Sequence, residues 1–305
     1  SLGLVGSEMC IRDSHYMHDF EQIKQALDEA REYKIFEEQT DEEVETEFFD
    51  VREALLRARP ERTFLEELDL FNLKRSIASV LSYAKLFTQK VDDEDLSTTD
   101  ADTENSRGQI KYLYPALGKM ACDVAVFPDI IQRIDKILNK YGKVKDTASP
   151  ELLSLRHQIE ITTRGISHSL RSIINEAQTS GYIDRDVTPT LRDGRLVIPV
   201  APALKRKIKG IVHDESATGK TVFIEPSAVV DANNKIRTLR AAERREVIRI
   251  LQEITIEIRP HIPELISSLH FLAHVDFLRA LNAFSNSFGA IVPNIQPKPS
   301  ISWMR

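Results

Sequence analysis

Gly219-Lys220-Thr221 is the first place in this 305-residue chain where residue types suggest chemistry. Such a triplet can cradle a phosphate. The loop that does so needs a glycine five residues before Gly219, where Asp214 stands, and a helix afterwards, where Val222–Glu225 has the composition of a strand. A hairpin turn accounts for it better. His213, Asp214 and Ser216 are the residue types of a nucleophilic triad, but neighbours along a strand point to opposite faces, so His213 and Asp214 do not converge. Asp214 is read as a local acceptor that supports the turn. His270 and His274, four apart on a helix and near Asp276, have the spacing of metal ligands. Phe271 occupies the position where a zinc-protease helix requires glutamate, and the apolar neighbours make these histidines core or groove residues. Cys122 has Asp123 beside it and no nearby histidine, the setting of a buried, inert thiol. No residue is assigned a catalytic or metal-binding role, and no metal is expected.

Charge is distributed unevenly. Between Arg185 and Arg249 there are 14 lysines and arginines against 8 acids, a local charge of +6 in a chain whose net charge is −6. Lys205, Arg206, Lys207 and Lys209, with Arg192, Arg195 and Lys220, form a set able to meet a phosphate backbone, contributing affinity and position without reading bases. The plainer alternative is a solvated face in which Glu243 and Glu246 pair with arginines at helical spacing.

These residues must be held by elements. From Asp19 to Ala148 apolar residues recur at steps of three and four (Phe20, Ile23, Leu27, Ala30, then Leu65, Leu68, Leu73, Ile77), which predicts a helical region over 15–150. Further helices are expected around Ile110–Leu117 and Ile130–Tyr141. Glu37–Asp50, with eight acids and no base, reads as a solvated turn and exposed helix start; Asp92–Glu104, with seven acids among serines and threonines, reads as a flexible insertion. Residues 151–181 carry one apolar seam (Leu152, Leu155, Ile159, Ile166, Leu170, Ile173, Ala177) between Pro150 and Gly181. A matching seam spans 226–259, with Pro226 in the first turn. Two long helices of like length flanking 182–225 predict an antiparallel pair, a lever, with a small β element at its tip. In that element Asp193-Gly194 joins one hairpin and Ala217-Thr218-Gly219-Lys220 another, with a helical turn over Ala203–Lys209 between them. Residues 260–305 return as a helix, Leu265–Asn286, onto the first region. The fold class is thus mainly α, with a small β part.

Composition sets the outer bounds. Eleven glycines are about half the usual share, and charged residues reach 29%, which favours long helices over glycine-rich dinucleotide folds. Two cysteines make no disulfide framework, so a reducing cytoplasmic setting is expected, and no apolar run approaches the ~18 residues of a membrane span. Ser1–Ser14 looks like translated adapter read-through and is set aside as non-native, Cys10 with it. The alternating prolines before Trp303-Met304-Arg305 suggest a fragment.

At Leu191–Asn234 the sequence resembles the clamp segment of the MutS-type ATPases, within them the bacterial type-two branch that suppresses recombination. The residues carrying the likeness are the Arg192–Val200 hairpin with Gly194 and Pro199, then Gly210, His213, Asp214, Ser216, Gly219, Phe223, Glu225, Pro226, Asn233 and Asn234. The resemblance extends from about Asp19 to the end of the chain. It implies a helical core, a lever of two long helices and a β clamp. For the full-length proteins it implies an ATP- and magnesium-using domain, a C-terminal nuclease domain, a homodimer closing around duplex or branched DNA, and a role at collided ribosomes through ribosomal RNA. Neither a nucleotide-binding motif nor a nuclease region lies in these residues, so this stretch is expected to bind nucleic acid without being an enzyme itself, and to need no cofactor. The alternative is a helical interaction or dimerisation module without direct nucleic-acid binding.

Overall fold

The computed structural model describes residues 17–40, 47–90, 112–181, 183–184 and 186–297. The segment 1–14, the expected insertion at 92–104 and the terminal tripeptide 303–305 lie outside the described residues. Along the chain run α1 (Phe20–Gln39), α2 (Arg52–Arg57), α3 (Glu67–Phe87), α4 (Pro115–Ala121), α5 (Pro128–Ile137), α6 (Pro150–Thr179), β1 (Thr190–Arg192), β2 (Arg195–Val200), β3 (Gly210–Glu215), β4 (Val222–Pro226), α7 (Val230–Ile258) and α8 (Ile262–Phe288). The fold is mainly α with one small antiparallel sheet. It divides into a helical unit, 1–143 with 252–305, and a sheet unit, 144–251.

In the helical unit α1 starts where the Asp19 carboxylate accepts the Gln22 N–H, and α3 where Glu66 and Asp69 cap each other's backbone. Its aliphatic core holds a cluster of rings: Phe36 meets Phe87 and Tyr114 edge-on at 5.1 and 5.7 Å, and Phe87 meets Phe271 of α8 at 6.3 Å. The expected α3 seam is corrected at one position. Leu68 points to solvent and Leu70 is buried, because the helix begins only at Glu67 and the buried stripe runs Leu70, Leu73, Ile77, Val80. The helices expected near 110 and 130 start instead at Pro115 and Pro128, where a first-turn residue needs no N–H. The acidic run 37–50 is not merely solvated at its described ends. Glu37 accepts from Asn282, and the backbones of Glu47 and Phe49 bond to the hydroxyls of Ser79 and Ser76 on α3. Cys122 is exposed, correcting the buried-thiol reading: it caps the short helix α4 and directs its Sγ to the Lys119 carbonyl.

In the sheet unit Ser149 caps α6, accepting the Leu152 N–H at 3.0 Å. α6 and α7 run antiparallel, since Ser149 bonds Glu246, Arg156 bonds Glu243, and Ile166, Leu170 and Ile174 share a core with Ile236 and Val229. The sheet order β1-β2-β4-β3 joins both predicted hairpins through β2–β4, a pairing between strands remote in sequence. One sheet face, Ile198, Val200, Val222 and Ile224, closes this aliphatic core, each such side chain contributing roughly 1.5–3 kcal/mol on burial. Pro226 is corrected from helix to strand. It ends β4 opposite Gly210, and a single 3-10 turn, Ser227–Val229, precedes α7.

Candidate nucleic-acid interface

The other sheet face is organised by one carboxylate. Glu225 lies on the central strand β4, fully buried, with residues of three other elements converging on it. Arg195, first residue of β2, donates through Nη1 to both Glu225 oxygens at 2.9 and 2.8 Å. His213 Nε2 lies 2.5 Å from Oε2, and Asn233 of α7 donates to Oε1 at 2.8 Å. His213 reaches it because β3 bulges between Val212 and Asp214, so that one residue is left over in the pairing. Burial alone would raise the Glu225 pKa, but the donors from His213, Asn233 and Arg195 hold it below the usual carboxylate range.

Asn233 has a second task. The β2–β4 register would next place Pro226 opposite Leu196, and proline has no N–H to donate. The Asn233 carboxamide stands in for the missing partner, accepting the Leu196 N–H at 3.2 Å and donating to its carbonyl at 3.1 Å. Asn234 accepts from Arg195 Nη2 at 3.2 Å. Gly210 is required by contact: a Cβ there would lie 2.2 Å from the Glu225 carbonyl oxygen. Pro199 sits opposite Phe223, and Arg192 covers the Phe223 ring at 4.2 Å. The residues carrying the family likeness therefore build the sheet and its polar centre.

Both turns have the expected backbone. Asp193 and Gly194 have φ of 46° and 75°, and Gly219 has φ of 68°. In the second turn the Ser216 hydroxyl accepts the Thr221 N–H at 3.1 Å, while Asp214 accepts the N–H of Glu215. Gly219-Lys220-Thr221 does not fit a nucleotide phosphate. Gly219 and Thr221 already give their N–H groups to Ser216, and a strand follows instead of a helix.

The predicted cations separate into two kinds. Arg195 differs from the expectation of a phosphate contact, because its guanidinium, 16% exposed, is engaged by Glu225 and Asn234. Arg192, Lys205, Arg206, Lys207, Lys209 and Lys220 are exposed. Lys207 and Lys209 border a cavity of about 440 Å³ with Ile173, Glu176 and Ala177 of α6. The plainer reading of the charge, arginines of α7 neutralised by Glu243 and Glu246, is only partly met. Glu243 goes to Arg156 of α6 at 2.8 Å, and Glu246 to Arg249 and Ser149. His270 lies 3.0 Å from Arg52, and His274 pairs with Glu29 at 2.8 Å. The Glu225 centre escaped the sequence reading, although an acid inside the apolar run Val222–Pro226 is a signal that it has partners.

No family model matches the chain. Curated relatives do. The chain is 34% identical over 245 residues to Endonuclease MutS2 of a Geobacillus species, an alignment taking in 80% of this chain and 29% of the relative. It is 31% identical over 275 residues to Endonuclease MutS2 of Lactobacillus johnsonii, 90% of this chain and 32% of the relative. The protein of that name from Halalkalibacterium halodurans is 36% identical over 179 residues, 59% of this chain and 23% of the relative.

The chain belongs to the MutS2 type of the MutS family. It spans about a quarter to a third of the length of the MutS2 relatives it matches. Among the described residues, no helix of this MutS2-type chain is long and apolar enough to cross a membrane.

Proposed function

We propose that this chain is the nucleic-acid-binding portion of a MutS2-type ATPase, its helical part a core, α6 and α7 a lever, and its sheet a clamp. The full-length homodimer would hold duplex or branched DNA, or ribosomal RNA at a stalled ribosome, in the cytoplasm, and would limit recombination or clear the ribosome. ATP hydrolysis with magnesium and strand cleavage would belong to other parts of that protein. The observation that carries the reading is the set Lys205, Arg206, Lys209 and Lys220: exposed, and with no carboxylate partner among the described residues. The relatives' name, Endonuclease MutS2, supports it.

Titrating the full chain into labelled duplex DNA at several salt concentrations tests this. If about four cations meet phosphates, log K falls with log salt at a slope near −3.6. Reversing Lys205, Arg206, Lys207 and Lys209 to glutamate abolishes binding. Salt-independent binding, or affinity untouched by the reversal, sinks the reading and leaves the helical interaction module in its place.

A further inference from the structure

Arg237, Arg240 and Arg244 follow one another on α7 at steps of three and four residues, the spacing of a single helix stripe. All three are exposed, and none has an ion pair among the described residues. They span about 10 Å at ~1.5 Å per residue. The stripe abuts the β1–β2 turn: Arg240 Nη1 lies 3.6 Å from where a side chain would begin at Gly194. Arg192 stands two residues before that glycine, its guanidinium over Phe223. One acid, Asp193, shares the turn, leaving the group strongly cationic.

Two features make this more than a solvated face. The carboxylate that helix geometry offers to Arg240, Glu243, is drawn across to Arg156 of α6, and Glu246 is held by Arg249 and Ser149. Like charges three and four apart on a helix each cost a few tenths of a kcal/mol, and no contact among the described residues offsets that cost. The residues are also all arginine, whose planar fork takes two phosphate oxygens at once, whereas the β2–β3 loop is mostly lysine.

We propose that Arg237, Arg240 and Arg244, continued by Arg192, are a second binding strip for the sugar–phosphate backbone of a nucleic-acid duplex, laid along α7 beside the first hairpin. The proposal rests on the nucleic-acid-binding reading above and adds a track which that reading does not contain. The test compares the full chain with the variant R237E/R240E/R244E on a duplex DNA and a duplex RNA of one sequence, circular dichroism confirming that both proteins are folded. The expected result on DNA is a salt slope shallower by about 2.7, three phosphate contacts' worth, with weaker binding at every salt concentration. R237K/R240K/R244K keeps the slope and weakens binding less. A change on both duplexes identifies the shared backbone as the ligand; a change on one names the duplex that the strip holds. An unchanged slope in the glutamate variant, while the loop reversal still abolishes binding, overturns the strip and leaves the first reading standing. A wild-type chain that binds neither duplex overturns both.

Discussion

Glu29 and Asp276 in the helical unit are buried carboxylates, each with one partner on α8, His274 at 2.8 Å and Arg279 three residues on, set beside a cluster of rings that meet edge-on. Glu225 in the sheet unit is also buried, but its partners come from β2, β3 and α7, and the core behind it is entirely Ile, Leu and Val. The contrast separates two ways of specifying a structure. Ring packing distributes stability over many contacts, each replaceable within about 1.5 kcal/mol by a residue of similar volume. A buried carboxylate shared by three elements concentrates it, because removing the centre strands every donor at once.

The comparison breaks most clearly at the two centres. Phe87→Ala in the helical unit and Glu225→Ala in the sheet unit are each expected to cost about 3–5 kcal/mol in urea unfolding, the first by leaving a cavity, the second by leaving Arg195 unpaired. They differ on conservative replacement. Phe87→Leu recovers most of the loss, whereas Glu225→Gln keeps the volume and recovers little; equal recovery would erase the distinction. Asn233→Ala comes next, at about 1–3 kcal/mol, since it leaves the Leu196 N–H and carbonyl without partners. Hydrogen exchange at Leu196 should quicken in that variant, and protection equal to wild type would show that β2 does not need the amide.

The smallest effect is at the start of α6. Ser149→Ala removes a helix cap and a donor to Glu246, at about 1 kcal/mol. Glu246 sharpens this with pH. Arg249, then the Ser149 hydroxyl, outweigh burial and bring its pKa from 4.5 to about 2. A lowered carboxylate stabilises fully above its unfolded value, so this contribution is complete above pH 4.5 and fades as the pH falls towards 2. Urea unfolding across that window should show a shallower acid loss in Glu246→Gln than in wild type; parallel curves would remove Glu246 from the account.

What the sequence made legible was local. The α6 seam, its proline start and the Asp193-Gly194 turn each depend on residues within a few positions of one another; the start and the turn are found where the pattern puts them, and the seam is found with Ile174 buried in place of the expected Ile173. The family likeness was legible too, though without a physical reason for its residues. What depended on distant partners was hidden. The β2–β4 pairing sets Val200 against Val222, the bulge at His213 leaves no mark in strand periodicity, and the place of Glu225 in an apolar run signals partners without naming Arg195, His213 and Asn233 as those partners. Cys122 is exposed although Ala121, the residue before it at the end of α4, is buried: the lack of a neighbouring histidine bears on a thiol's chemistry and says nothing of its burial.

Because the side chain of Asn233 serves as the rung that Pro226 cannot supply, the first turn of α7 is stitched to the backbone of β2 and not merely rested against it. Any rotation of that helix about its axis would reach the strand as a tug on Leu196, carried by two hydrogen bonds as well as by the shared aliphatic core.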